Sequence, residues 1–370
     1  MTTLVTGGAG FIGSHLTESL LSSSEDVIII DDLSTGSERN LGTLLEHPSV
    51  RFVKGSILDV PLLDELVSQV DSIYHLAAAV GTFTILDKTL ESLRTNLHGT
   101  ENVLDSAVRH GARVLVASTS EVYGKNTKIG LREDDDRIAG SPLKNRWSYA
   151  GAKALDETFA YLYWMEHGLE TVMVRLFNTV GPRQTGRYGM VIPRFVAQAL
   201  AGEPLTVYGT GNQVRCFCHV LDVVPALRTL MADERAHGQV FNLGSSDQVS
   251  ITGLAERVIS VLGSSSTITY VPYESAYGAG FEDMERRVPD CTKARQFIGF
   301  SPSRSLVDII EAVAQDQLTS SAEVSVMSGG KGAGDPESAL RPSARVLSTE
   351  LAGRPATIRW GAGAASRLRP

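Results

Sequence analysis

Residues 6–15 read Thr6-Gly7-Gly8-Ala9-Gly10-Phe11-Ile12-Gly13-Ser14-His15, with glycines at 7, 10 and 13 between the short apolar run Leu4-Val5 and a segment of helical period. Glycine turns tightly and lets a backbone approach a ligand closely, while the helix beyond it offers free N–H groups and a positive dipole end. Such a loop suits a pyrophosphate. Its spacing, Gly-x-x-Gly-x-x-Gly, differs by one residue from the commoner dinucleotide fingerprint, so its position carries the weight. It follows the first strand, and Asp31 ends the second, Val27-Ile28-Ile29-Ile30, about twenty residues on. A carboxylate there hydrogen-bonds the adenosine ribose hydroxyls and repels a 2′-phosphate, which selects NAD over NADP. The expected cofactor contacts here are Gly7, Gly10, Phe11, Ile12, Gly13, Asp31, Asp32, Ser34 and Thr35.

The same β-α alternation continues outward through Val50-Arg51-Phe52-Val53, Ser72-Ile73-Tyr74-His75 and Val114-Leu115-Val116. Strands alternating with helical segments at crossover spacing imply an α/β fold with a doubly wound parallel sheet of the Rossmann type. Past about residue 178 the pattern loosens, as suits a smaller C-terminal α/β substrate lobe. Pro193 reads there as the first residue of a helix, and Leu205-Thr206-Val207-Tyr208-Gly209 as a short strand. The expected organisation is 1–178 for the cofactor, with later segments returning to it, 179–318 for the substrate, and 319–370 as a flexible tail. The tail is rich in Ser, Gly, Ala, Pro and Arg, a composition that buries too little apolar surface to offset the entropy of ordering.

At 370 residues, 42% hydrophobic and 21% charged, the composition is that of a globular protein with a substantial core. A net charge of −8 with no dense basic block in the first 320 residues argues against nucleic acid as a partner. No run approaches a membrane span. The first strand starts almost at Met1, leaving no room for a signal peptide, so the expected compartment is cytoplasmic. Three cysteines, Cys216, Cys218 and Cys291, make no disulfide framework and lack companions at zinc spacing; they read as small buried residues, and no metal is expected.

Chemistry concentrates between Ser118 and Lys153. The buried strand Val114-Leu115-Val116-Ala117 ends at Ser118 and delivers the Thr119 hydroxyl to the carboxyl edge of the sheet. Tyr149 and Lys153 stand four apart on a helix and share one face. An ammonium beside a phenol favours the phenolate, as does the positive nicotinamide ring of a bound cofactor, so Tyr149 is the expected base and Lys153 the group that lowers its pKa.

These motifs together resemble the extended short-chain dehydrogenase/reductase family, in particular its nucleotide-sugar 4-epimerases, dehydratases and decarboxylases. The likeness covers residues 2 to roughly 318. His75-Leu76-Ala77-Ala78 is similar to the family's fourth-strand loop along the cofactor, and Asn96 to the helix asparagine that supports it. Arg175-Leu176-Phe177-Asn178-Thr179-Val180 resembles the segment leading from cofactor to sugar. The resemblance therefore adds Leu76, Ala77, Ala78, Asn96, Leu176 and Val180 to the cofactor contacts, and implies Asn178 on the substrate phosphate. One position departs: an aspartate usually follows the glycine after the third strand, whereas Gly55 is followed by Ser56 and Ile57, so a weaker adenine contact is expected. The resemblance further implies Tyr208 beside the nucleotide base, Arg215 and Arg287 on the diphosphate, and Arg187, Met190, Val191 and Arg194 lining the substrate. It implies a homodimer through helices starting near Leu90 and at Tyr149.

By the same resemblance, Tyr149 takes the proton of a sugar 4-hydroxyl while C4 is oxidised, Thr119 steadies the ketone, and the substrate is a UDP-sugar. Ser120, where the dehydratases have an aspartate, argues against dehydration. Thr119-Ser120-Glu121, Arg146-Trp147-Ser148-Tyr149 and the segment 277–283 are similar to UDP-glucuronate decarboxylases. Met190-Val191-Ile192-Pro193-Arg194-Phe195 looks like the epimerases, and epimerisation is the commonest activity of the fold. The sequence reading thus places a UDP-sugar 4-epimerase first, UDP-glucuronate decarboxylation close behind, and a catalytically silent NAD-binding regulator last, because both Tyr149 and Lys153 are present.

Overall fold

The computed structural model describes residues 1–81, 88–186, 189–277 and 282–328. Seven parallel strands form its central sheet: β1 (Thr2–Thr6), β2 (Asp26–Asp31), β3 (Val50–Lys54), β4 (Ser72–His75), β5 (Arg113–Thr119), β6 (Thr171–Leu176) and β7 (Gln239–Leu243). Their spatial order is β3-β2-β1-β4-β5-β6-β7. The order reverses between β1 and β4, and a doubly wound sheet opens a binding crevice at such a switch point, outside the carboxyl ends of the strands.

Successive side chains of a strand point to opposite faces, and here both faces are covered. Val5, Ile29, Leu115, Val172 and Val174 pack with Leu16 and Leu20 of helix α1 (Phe11–Leu21) and with Leu227 and Leu230 of the helix Val220–Ala232. Their alternates Leu4, Ile28, Ile30, Val114, Val116 and Met173 pack on the other face. Their partners there are helices α2 (Val60–Val67), α3 (Thr89–His110) and α4 (Ser148–His167), through Leu63, Leu66, Val103, Leu104 and Ala160. This double burial explains why the strands read as unbroken apolar runs instead of alternating ones.

A third core, with Phe195, Val196, Leu205, Val207, Leu254, Val258, Ile309 and Ile310, underlies the substrate side. Residues Met1–Glu323 nonetheless group as one unit, and Val324–Pro370 as a second, of which only 324–328 are described. The tail expected from 319 begins inside the last helix, Leu306–Ser328; residues 329–370 lie outside the described residues. The helix expected to start at Pro193 starts at Val191. Proline fits at this third helical position because the first four N–H groups of a helix have no intrahelical acceptor to lose. All three cysteines are buried and free, and burial pushes the Cys216 and Cys291 thiols up to about 12. Among the described residues no helix is long and apolar enough to cross a membrane.

Candidate active site

A cleft of about 570 Å³ runs along the carboxyl ends of the sheet into the smaller lobe. Register decides what borders it. Thr6 lies level with Ile30 and His75, and Thr119 with Leu176, so the loops that follow β1, β2, β4, β5 and β6 converge on one edge.

The glycine loop forms its first wall. Gly7 has φ +71°, and a Cβ there would stand 2.8 Å from the Ala77 backbone; one on Gly13 would stand 2.4 Å from the Gly7 carbonyl oxygen. Gly10 caps α1 without a side-chain hydrogen bond, leaving first-turn N–H groups for a ligand. Asp31 is buried, its Oδ2 accepting from Ala9 N at 3.0 Å and its Oδ1 from Leu33 N at 2.8 Å. It thereby clamps the glycine loop to the end of β2. Burial pushes its pKa up, with both N–H groups opposing. Phe11, Ile12, Asp32, Ser34, Thr35, Ser56, Ile57, Leu76, Ala77, Ala78, Leu176 and Val180 all border the same cleft. The Ser56 hydroxyl already accepts from Leu58 N at 3.2 Å.

Asn96 acts from behind. It is 1% exposed, accepting from Ala79 N at 2.8 Å and donating to Ala79 O at 3.3 Å, so it shapes the loop after β4 instead of bordering the cleft. His75 lies deeper, between Thr6 Oγ1 at 2.9 Å and Thr100 Oγ1 at 3.0 Å. Burial, then the charge of Lys153, hold its imidazole at about 3, which makes it a neutral spacer.

Thr119, Ser120, Glu121, Tyr149 and Lys153 come together at the middle of the cleft. Thr119 Oγ1 accepts from Glu121 N at 3.2 Å. Ser120 Oγ is buried with no hydrogen-bond partner. Glu121 is held by Arg146 Nη1 at 2.6 Å and Arg287 Nη1 at 3.3 Å. Burial disfavours this charged carboxylate, yet the two guanidiniums outweigh it and hold its pKa at about 2. Burial and then the neighbouring Arg215 push Arg287 down to about 10. Lys153 borders the same cleft as Tyr149. Burial raises the Tyr149 pKa, Glu121 and Asp156 raise it further, and Arg287 opposes them. Lys153 is paired with Asp156 at 3.0 Å.

Further out, Asp283 bridges Arg215 at 2.9 Å and Arg146 at 3.4 Å, and Glu282 accepts from Trp147 Nε1 at 3.0 Å. The strand Arg286–Arg287, paired level with Val214–Arg215, sets Arg287 beside Glu121. Asn178, at φ +39°, donates to Cys216 O at 2.7 Å. Arg194 stacks on Tyr208, its guanidinium 4.3 Å from the ring centre, and donates to Thr206 O at 2.8 Å. Tyr277 meets Tyr208 edge to face at 5.2 Å, giving an aromatic wall suited to a planar base. Met190 and Val191 border the same space. Arg187 lies outside the described residues.

A family model for the NAD dependent epimerase/dehydratase family matches residues 3–244. The chain belongs to that family. A UDP-N-acetyl-alpha-D-glucosaminuronate decarboxylase of Bacillus cytotoxicus is 44% identical over 82% of this chain and 93% of the relative. UDP-glucuronic acid decarboxylase 1 of Danio rerio is 36% identical over 81% of this chain and 68% of its own length. Among solved structures, a UDP-glucuronic acid 4-epimerase of Bacillus cereus in complex with UDP-glucuronic acid and NAD superposes with a TM-score of 0.78. It is 29% identical, covering 86% of this chain and 99% of the other. NAD is therefore the cofactor of this family enzyme, and the bare glycine cradle with Asp31 beside it fits that molecule.

Sequence reading did not select Arg146, Tyr273, Tyr277 or Asp283 as site residues, although all four border the cleft. The decarboxylase-like segments carried a signal for Arg146, Tyr277 and Asp283, and nothing marked Tyr273. Alone, each is an ordinary polar or aromatic residue; the partners that give it meaning lie far away in the chain.

Proposed function

We propose that this enzyme decarboxylates a UDP-hexuronate, UDP-N-acetylglucosaminuronate or UDP-glucuronate, through a 4-keto sugar. The observation that carries the reading is Glu121 gripped by Arg146 and Arg287 beside Tyr149, in a chain whose curated relatives at 44% and 36% identity are decarboxylases. The sequence weighing put epimerisation first; these relatives favour the other order.

Bound NAD would supply a two-electron oxidation at the sugar C4 and its reversal after carbon dioxide has left, so that the product is a UDP-pentose with C4 at its original oxidation level. Tyr149 serves as the base for the 4-hydroxyl proton, and the Thr119 hydroxyl hydrogen-bonds the same oxygen. Once C4 is a ketone, the C5 carboxylate is that of a β-keto acid, so losing carbon dioxide leaves an enolate that Thr119 and protonated Tyr149 steady. Ionised Glu121 disfavours a second carboxylate nearby and has no proton to give. The proton reaching C5 therefore comes through the Arg287 side of the site, from its guanidinium or from water hydrogen-bonded to it. Ser120 Oγ, buried without a partner, is free to bond the substrate.

The second reading, 4-epimerisation of a UDP-hexuronate, is favoured by the likeness to the Bacillus cereus epimerase. Incubating the protein with each carboxyl-labelled UDP-hexuronate separates them. Decarboxylation releases one carbon dioxide per UDP-pentose formed, whereas a retained label with a C4-inverted sugar overturns the proposal.

A further inference from the structure

The ion pair on Lys153 is not required by the reaction as written above. Tyr149, Lys153 and Asp156 stand at i, i+4 and i+7 of α4, one stripe of the helix facing the cofactor edge of the sheet. Lys153 Nζ and Asp156 Oδ2 are 3.0 Å apart, with side chains 2% and 0% exposed. Asp156 Oδ1 is buried with no hydrogen-bond partner. Its other neighbours also have partners of their own. Thr100 of α3 adjoins the carboxylate, but its hydroxyl donates to Asn96 O at 2.7 Å. His75 of β4 is a neutral imidazole between Thr6 and Thr100. Glu157, the next residue along, holds Arg175 at 2.9 and 2.8 Å and accepts from Ser118.

A carboxylate this deep is costly to desolvate unless a counter-charge meets it, and the one that does is Lys153. We propose that Asp156 is a positioning residue: it holds Lys153 on the stripe beside Tyr149 and cancels the ammonium's field, so that the phenol gives up its proton only when cofactor fills the cleft. The inference rests on Tyr149 being the base. The charges acting on Tyr149 are then Glu121 from the end of β5, Arg287 beside it, and Asp156, paired with Lys153, from its own helix. Of these, only the pair can be unbalanced without touching the group that meets the sugar.

Seven residues at 1.5 Å rise set Asp156 about 10 Å from Tyr149 along the helix, where removing one charge moves a neighbouring titration by about one pH unit. The test is Asp156→Asn in the NAD-bound protein, with Tyr149→Phe as the spectral blank. Two things are measured: near-ultraviolet absorbance of the Tyr149 phenolate against pH, and the acid limb of kcat/KM. Both midpoints are expected to fall by about one unit. A variant that is merely less stable, with both midpoints unmoved, overturns the proposal. If Asp156→Asn does not fold, Lys153→Met and Lys153→Met/Asp156→Asn are compared by the same absorbance titration, and the second substitution must lower the midpoint. A Tyr149→Phe enzyme with full turnover instead removes the reading of Tyr149 as base, an outcome the absorbance titration distinguishes from failure of the Asp156 role.

Discussion

Glu121→Gln removes one charge from a cluster of three guanidiniums and two carboxylates. In the wild type the Glu121 carboxyl is held from its ordinary 4.5 down to about 2, which corresponds to about 3 kcal/mol of favourable interaction with Arg146 and Arg287. Glutamine keeps the shape but leaves three guanidiniums around Asp283 alone, and Arg287, 12% exposed at its side chain, loses its ion pair with residue 121. Breaking a buried pair on one side costs a few kcal/mol because the other charge stays buried. The variant should therefore melt roughly 5 °C lower. Carbon dioxide release from labelled UDP-hexuronate should fall on the order of 100-fold, the factor that about 3 kcal/mol commands. The sign of the pH effect follows from the depressed pKa. The Glu121 contribution is fully present above about 4.5, the unfolded value, and is lost as pH falls towards the folded value of about 2. Wild type should lose its stability advantage over the variant across that window. The measurements are scanning calorimetry from pH 7 downwards and trapped radioactive carbon dioxide. Equal melting at pH 7 together with carbon dioxide release within threefold of wild type would refute both the energetic and the chemical argument.

Three further outcomes follow from the same geometry. Calorimetric titration should find NAD bound at least about 100-fold more tightly than NADP, because the Asp31 carboxylate at the end of β2 borders the cleft and would repel a 2′-phosphate; equal affinity would contradict that role. Gly13→Ala places a Cβ 2.4 Å from the Gly7 carbonyl oxygen, and should weaken NAD binding by roughly 10-fold or more even where the protein folds, since the loop must open to admit it. Leu155, Leu162 and Met165 of α4 and Leu90 of α3 are exposed. We propose that this face joins two copies of the chain, so light scattering should give a dimer for wild type and a monomer for Leu162→Glu.

Much of the fold was legible because its signals are local. Apolar runs at crossover spacing, glycines at 7, 10 and 13, and Asp31 at a strand end each follow from a few consecutive residues, and short-range sterics give them one reading. The Tyr149 and Lys153 pairing was legible for the same reason, since four residues on a helix is a fixed distance. The meaning of that pair was not, because the charge Lys153 presents depends on what else is buried with it. Three residues further on, nothing local marks Asp156 as buried; the packing of α4 against α3 and β5 decides that.

The catalytic cluster makes the point at longer range. Thr119-Ser120-Glu121 ends a strand and can be found by reading along the chain, but the state of Glu121 is set by Arg146 and by Arg287, 166 positions away. Asp283 meets Arg146 and Arg215, which lie 137 and 68 positions away in the chain. Asn96 shows the converse, a motif residue whose side chain turns away from the cleft to fasten Ala79. Sequence alone determined the doubly wound sheet, the NAD loop and the helix face carrying Tyr149 and Lys153, since backbone periodicity and local sterics are written into neighbouring residues. Tertiary structure decided which groups are charged and what each one faces, because burial and Coulombic partnership are properties of places where distant segments meet.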